Sequence, residues 1–250
     1  MKTSRVQCLD RTMDILESLA REGEMTAAGL ARETGLKAAT VHNILSTLAG
    51  RDYLLNDKGV YRLGPALAAL AYRGDPMMRL PRLAQEVVDE VTRVTGESSI
   101  VTVLAGFRAV MVATTPGTDE VAVQFPKGGW PNPLHLATGR LLVALGDESR
   151  WGVFIRRQLD MEARGGPAIG LTEGEWLREL EKVRGERRCS LKRAKSTASV
   201  AWPVMDRGGV VVAAVGASCP VFRADERHLR AMSEAVEAGA AALSRGLGWR

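Results

Sequence analysis

Cysteine and histidine are the side chains that most often carry nucleophilic and soft-metal chemistry. This sequence has three of each: Cys8, Cys189 and Cys219, and His42, His135 and His228. Cys189 with His135 would supply a nucleophile and a general base. No third group is spaced to orient that imidazole, and an isolated cysteine more often packs as a small hydrophobe. His135, within Pro133-Leu134-His135-Leu136-Ala137, reads better as a residue that fixes a loop or caps a helix. HExxH is absent and the cysteines form no close pairs, so no metal site is expected. GxxxxGK[ST] and GxGxxG are absent too, which leaves nucleotide chemistry unsupported. The chain is therefore not expected to be an enzyme or to hold a cofactor, and a cysteine-dependent activity is the least favoured alternative.

A second set of residues has types suited to reading a nucleic-acid duplex. Lys37, Ala38, Ala39, Thr40, His42, Asn43 and Ser46 are the outward positions of a helix expected from about Lys37 to Gly50. Its inward positions are Val41, Ile44, Leu45 and Leu48. Asn can bond an adenine edge bidentately, Ala and Thr can pack on thymine methyls, and Lys can reach guanine or phosphate. Thr40 could equally take a phosphate. Thr26, Lys58, Lys2, Arg5 and Arg11 complete the candidate contacts, those to phosphate adding affinity without sequence information. The bland alternative is a solvated polar face on a small helical domain.

The elements that must position these side chains are marked by apolar spacing and by breakers. Val6, Leu9, Met13, Leu16 and Ala20 give one face of a first helix, stopped at Gly23. Thr26 caps a second helix through Leu30 and Ala31 to Glu33, without a capping box because position 29 is Gly. Gly35 breaks the chain before the third helix, the spacing of a helix-turn-helix. Tyr53 to Leu55 and Val60 to Leu63 then read as a hairpin around Asn56 to Gly59, a wing. Gly64-Pro65 opens an Ala/Leu-rich linker helix to about Tyr72, and Gly74-Asp75-Pro76 marks a boundary. Residues 1–75 and 76–250 are thus expected to form two domains.

The second domain reads as α+β. Leu80, Leu83, Val87, Val91 and Val94 form a helical stripe. Ser98–Leu104 and Ala109–Thr115 pair about Gly106-Phe107, with a third strand at Glu120–Phe125. Short helices follow near 136–145 and 148–157, and Thr172 with Glu175 makes a capping box for a helix to about Val183. Val200–Met205 and Val210–Ala217 are strands, and Leu229, Met232, Val236 and Leu243 mark a last helix. Strands framed by helices suggest an antiparallel sheet with helices packed on it.

Composition bounds these readings loosely. The chain is 46% hydrophobic and 25% charged, which is ordinary for globular domains. The net charge of +5 permits an anionic partner, yet residues 1–75 carry ten basic and nine acidic side chains, so local placement matters more than the total. No signal-peptide core and no membrane-length apolar run is present. A cytoplasmic protein without membrane association is expected.

The segment from Cys8-Leu9-Asp10-Arg11 through Thr40-Val41-His42-Asn43 to Tyr61-Arg62-Leu63-Gly64 resembles the DNA-binding domain of the IclR-type bacterial transcription regulators. The resemblance continues, more loosely, through Pro133-Leu134-His135 and Val200 to Ser218. It implies a winged helix-turn-helix, a linker helix and a GAF-like effector domain. Operator DNA, a small-molecule effector, and a homodimer or dimer of dimers are the implied partners. Family members often have Lys-Ser-Thr-Val-His-Arg where this chain has Ala38 to Asn43, so two cationic positions are lost. The family's effector pocket maps by alignment onto Ala137, Thr138, Cys189 and Ser199. Cys189 stands where the family has Asp, at the end of Gly185-Glu186-Arg187-Arg188-Cys189, taken there as a strand. Arg187, Arg188, Lys192, Arg193 and Lys195 make this region cationic, which would favour an organic acid or other anion. Strand alternation could instead turn most of them to solvent. A regulator whose sensor domain has lost its ligand is the alternative.

Overall fold

The computed structural model describes residues 6–71, 79–125, 130, 132–192 and 196–249. The chain divides into two compact units, Met1–Met78 and Arg79–Arg250. The boundary expected at residue 75 and the end of the linker helix at Tyr72, with Lys2 and Arg5, lie outside the described residues.

The first unit is α1 (Gln7–Glu22), β1 (Glu24–Thr26), α2 (Ala27–Thr34), α3 (Ala38–Ala49), β2 (Leu54–Asp57), β3 (Val60–Leu63) and α4 (Pro65–Ala71). Its core joins Ile15 and Leu19 of α1 to Leu30, Val41, Leu45, Leu54 and Tyr61. The expected face of α1 is inward only in part, at Leu16, which packs against this core. Val6, Leu9 and Met13 are 59, 59 and 53% exposed, while Ile15, Ser18 and Leu19 turn inward. The helix carries two apolar stripes, and the shorter one meets α2. The small sheet is ordered β1-β3-β2, so a strand that the sequence did not announce pairs Glu24–Thr26 with Val60–Arg62. The hairpin turn is tighter than expected. Asn56 and Asp57 belong to β2, and only Lys58 and Gly59 bridge the strands, both at positive φ. That pair of conformations is the type I′ turn that suits strand twist.

The second unit comprises α5 (Leu80–Thr95), β4 (Ser98–Ala105), β5 (Arg108–Thr115), α6 (Ala137–Leu145), α7 (Trp151–Ala163), α8 (Glu173–Glu186), β6 (Cys189–Lys192), β7 (Thr197–Met205), β8 (Val211–Pro220) and α9 (Glu226–Gly246). The antiparallel sheet has the order β5-β4-β8-β7-β6. Alternation along β4 assigns its two faces. Ser99 Oγ donates to Val88 O of α5, whereas Thr102 Oγ1 accepts from Thr138 of α6. Helix α8 starts at the expected capping box, with Thr172 N donating to Glu175 Oε2 at 2.8 Å. It runs to Glu186, so Gly185 and Glu186 are helical and only Cys189 of that pentapeptide begins a strand.

Glu120–Phe125 is not a strand. Gly117 N donates to Ser98 Oγ and Thr118 N to Gly96 O, which folds the chain back over the start of β4. The alternation of Val121, Val123 and Phe125 does not sort the segment into two faces: Val123, Gln124 and Phe125 all line a cavity, and Val121 is exposed. Among the described residues no strand pairs with this segment, so its backbone makes no ladder. Among the described residues no helix is long and apolar enough to cross a membrane.

Candidate DNA-reading face and effector cavity

Helix α3 is held by its buried Val41, Ile44 and Leu45 and leaves its other side in water. Lys37, its N-cap, and Ala38, Ala39, His42, Asn43 and Ser46 are exposed; Thr40 is half-buried. Thr47, missed at the sequence level, is exposed as well and donates to Asn43 O at 2.8 Å. Its place four residues after Asn43 on the same stripe was the available clue. Gly35 takes a left-handed conformation (φ 68°) to cap α2, and Leu36 tucks in before α3 begins. Thr26 Oγ1 accepts from Gly29 N at 3.2 Å, so this side chain caps α2 as expected. Arg21 of α1 pairs with Glu33 of α2, fixing the two helices behind α3. Lys58 is exposed at the tip of the β2–β3 hairpin, in company with Glu24, Asp57 and Arg62, while Arg11 is half-buried on α1.

The second site is a cavity of about 390 Å³ between the start of α6 and the sheet. Ala137, Thr138 and Ser199 line it, so three of the four expected effector residues come together. Cys189 does not. It pairs with Ala201, one strand repeat from the Leu191–Ser199 pair at the cavity. From there it packs under α6 and α8 with Leu141, Trp176 and Leu180, 2% exposed. Burial pushes its thiol up to about 12, so no thiolate forms near neutral pH.

The walls are mainly apolar, with Ile100, Phe125, Trp130, Met161, Leu191 and Val200 among them. The polar groups are few and placed. Ser199 Oγ and Ser218 Oγ share a hydrogen bond of 2.8 Å across β7 and β8, and Thr138 Oγ1 donates to Thr102 Oγ1 at 3.0 Å. Asn132 was not expected. Its Oδ1 accepts from Leu134 N at 2.9 Å, while its buried Nδ2 has no hydrogen-bond partner among the described residues. Leu136 is the N-cap of α6 and offers no side-chain cap, and with Leu136, Ala137 and Thr138 in the lining the positive end of the helix borders the cavity. Gly216 closes the floor: a Cβ there would stand 2.6 Å from Thr138 Cγ2.

No Lys or Arg is among the described lining residues. Arg187 and Arg188 are exposed, and Lys192 is exposed with Nζ donating to Ala224 O at 3.2 Å. Arg193 and Lys195 lie outside the described residues. The cationic run therefore faces away from the cavity wherever it is described, Arg187 and Arg188 because they form the turn between α8 and β6 rather than part of the strand. Beside the cavity, Glu162 gathers the loop after α7. Burial opposes its ionisation, but hydrogen bonds from Gln158, Ile169 N and Gly170 N hold its carboxyl below the usual range.

Comparison with known proteins adds two family matches. Residues 8–58 match the IclR helix-turn-helix domain, and residues 77–245 match the bacterial transcriptional regulator IclR C-terminal domain. The chain is 29% identical over 252 residues to the HTH-type transcriptional regulator BhcR of Paracoccus denitrificans, covering 97% of this chain and 88% of that one. It is 24% identical to XynR of Escherichia coli, covering 98% of each. Among solved structures, an IclR regulator from Alicyclobacillus acidocaldarius superposes with a TM-score of 0.74 at 22% identity, covering 98% of this chain and all of that one. An IclR homologue from Microbacterium hydrocarbonoxydans, complexed with 4-hydroxybenzoate, gives 0.69 at 22% identity, covering 96% and 99%.

Proposed function

This chain belongs to the IclR family of bacterial transcription regulators, and on that premise we propose that α3 and the β2–β3 wing read operator DNA under the control of a small organic acid bound behind α6. The observation that carries the DNA half is the exposed stripe of α3, with Asn43 and His42 outward and a two-residue wing tip bearing Lys58 nearby in the same unit. Asn43 supplies base-edge hydrogen bonds, Ala38 and Ala39 supply methyl contacts, and Lys37 and Lys58 supply phosphate contacts.

The effector half rests on the cavity. Its apolar walls suit a ring or short aliphatic body, and its polar groups converge where α6 begins. An organic acid is favoured by the α6 amides and by Asn132 Nδ2, both donors, rather than by a guanidinium. The 4-hydroxybenzoate held by the Microbacterium relative is an acid of this kind. The protein works in the cytoplasm as a homodimer or dimer of dimers. The exposed Val6, Leu9 and Met13 stripe on α1 supports self-association. Two linked recognition helices would offset the cationic positions absent from α3, since half-sites lie about 34–36 Å apart per helical turn. Coupling between effector and operator of about 1–3 kcal/mol is typical of such systems.

Footprinting of the protein on its own promoter and neighbouring promoters tests the first half. Calorimetric titration with benzoate-class acids and their carboxamides tests the second. Specific footprints that shift with acid and not with amide are expected. Equal binding of acid and amide would refute the anion-recognition reading. Footprints indifferent to every acid would leave a ligand-independent regulator.

A further inference from the structure

We infer that Glu97, Cys219 and His228 form a second ligand site, on the α5/α9 side of the sheet, that takes one zinc-class divalent cation. The three residues come from the α5–β4 turn, β8 and the first turn of α9, and one ligand atom of each lies within 4.8 Å of the other two. Carboxylate, thiolate and imidazole together are a donor set that zinc accepts. Bonds of about 2.0–2.3 Å in a tetrahedral arrangement place donor atoms roughly 3.3–3.8 Å apart, so the cluster needs adjustments near 1 Å.

The surroundings allow that adjustment on one side and restrain it on the other. Glu97 is 2% exposed, and Arg223 holds it with two hydrogen bonds of 2.7 Å, Nε to Oε1 and Nη2 to Oε2. That grip fixes the carboxylate as outer partners fix metal ligands. His228 is the more exposed member, at 28%, and gives a path for the ion and for a water as fourth ligand. Its Nε2 already donates to Glu97 Oε1 at 2.9 Å, so a cation would take the place of that proton. Cys219 is fully buried, and burial together with the charge of Glu97 pushes its thiol up. Cation binding releases the thiol proton to solvent. A divalent ion then balances the thiolate and Glu97, while Asp119, 3.2 Å from Arg223 Nη1, balances the guanidinium. The sequence concealed this site because its ligands are spread over more than a hundred residues and become neighbours only in the fold. His135 and Cys189 belong to other surroundings and take no part.

The test is Co²⁺ titration of the full chain, read as thiolate-to-cobalt charge transfer, with competition by Zn²⁺. Wild type and Cys8→Ser, which removes the exposed thiol, are expected to show the band with one equivalent of metal. Cys219→Ser is expected to lose it. His228→Gln keeps a donor for Glu97, preserving the fold by circular dichroism. It is expected to weaken Zn²⁺ binding beyond the roughly 10–100-fold typical of an outer-partner change. No band in wild type, a band that follows Cys8, or undiminished affinity in folded His228→Gln would each overturn the proposal.

Discussion

Replacing Gly216 by Ala perturbs the floor of the cavity with a single methyl. An Ala Cβ at that position would stand 2.6 Å from Thr138 Cγ2 and 3.0 Å from Val200 O. Non-bonded carbons rest at about 3.5–4.0 Å, so the Thr138 methyl would have to retreat by roughly 1 Å. Three restraints oppose that retreat. Thr138 is buried, its hydroxyl is tied to Thr102 at 3.0 Å, and the next residue, Gly139, has no room against the Pro133 carbonyl. The cost should be that of overpacking, about 1–3 kcal/mol. With a urea slope near 2 kcal/mol/M, the unfolding midpoint should fall by about 0.5–1.5 M. All five tryptophans lie beyond residue 129, so their fluorescence follows the second unit alone. Thr138→Ser removes the offending methyl and keeps the hydroxyl. Added to Gly216→Ala, it should restore part of the loss, with a coupling energy of at least about 0.5 kcal/mol. The restoration stays partial because the Val200 carbonyl contact remains. Strict additivity of the two changes, or a neutral Gly216→Ala, would refute this account of how α6 seats on β8.

Other outcomes follow from the same contacts. Thr26→Ala removes the cap on Gly29 N and should cost about 0.5–2 kcal/mol, seen as faster amide exchange in α2. Asn43→Ala should weaken operator binding by about 1–3 kcal/mol at one base position and relax specificity there, whereas Lys58→Ala should weaken all sequences alike and lower the salt slope by about 1, both read by gel shift. Cys189 titrates near 12 in the folded chain against an ordinary 9.0, so the unfolded chain loses its thiol proton first as pH rises. Its stabilising contribution is complete below about pH 9 and declines from there toward about pH 12, and Cys189→Ala should flatten that part of the urea-midpoint profile.

Local chemistry settled much of this protein before any tertiary contact was known. Gly23 and Gly35 end their helices at positive φ, Lys58-Gly59 turns the wing, and Thr172 with Glu175 starts α8, each acting through its own neighbours in the chain. The α3 stripe was equally legible, because helical periodicity alone separates Val41, Ile44 and Leu45 from His42, Asn43 and Ser46. What the fold decided were questions of partnership. Periodicity shows that α1 has apolar faces but not which one α2 covers, and alternation at Val121 to Phe125 cannot reveal that no strand among the described residues pairs with it. Alignment placed Cys189 in the effector pocket, yet a strand repeat is long enough to carry it out of the cavity and under α6. Glu97, Cys219 and His228 are brought together only by the sheet order and the docking of α9. The physical reason is common to all four: a chain specifies its own turns and helices through short-range geometry, whereas burial, pairing and ligand sets are properties of two or more segments at once.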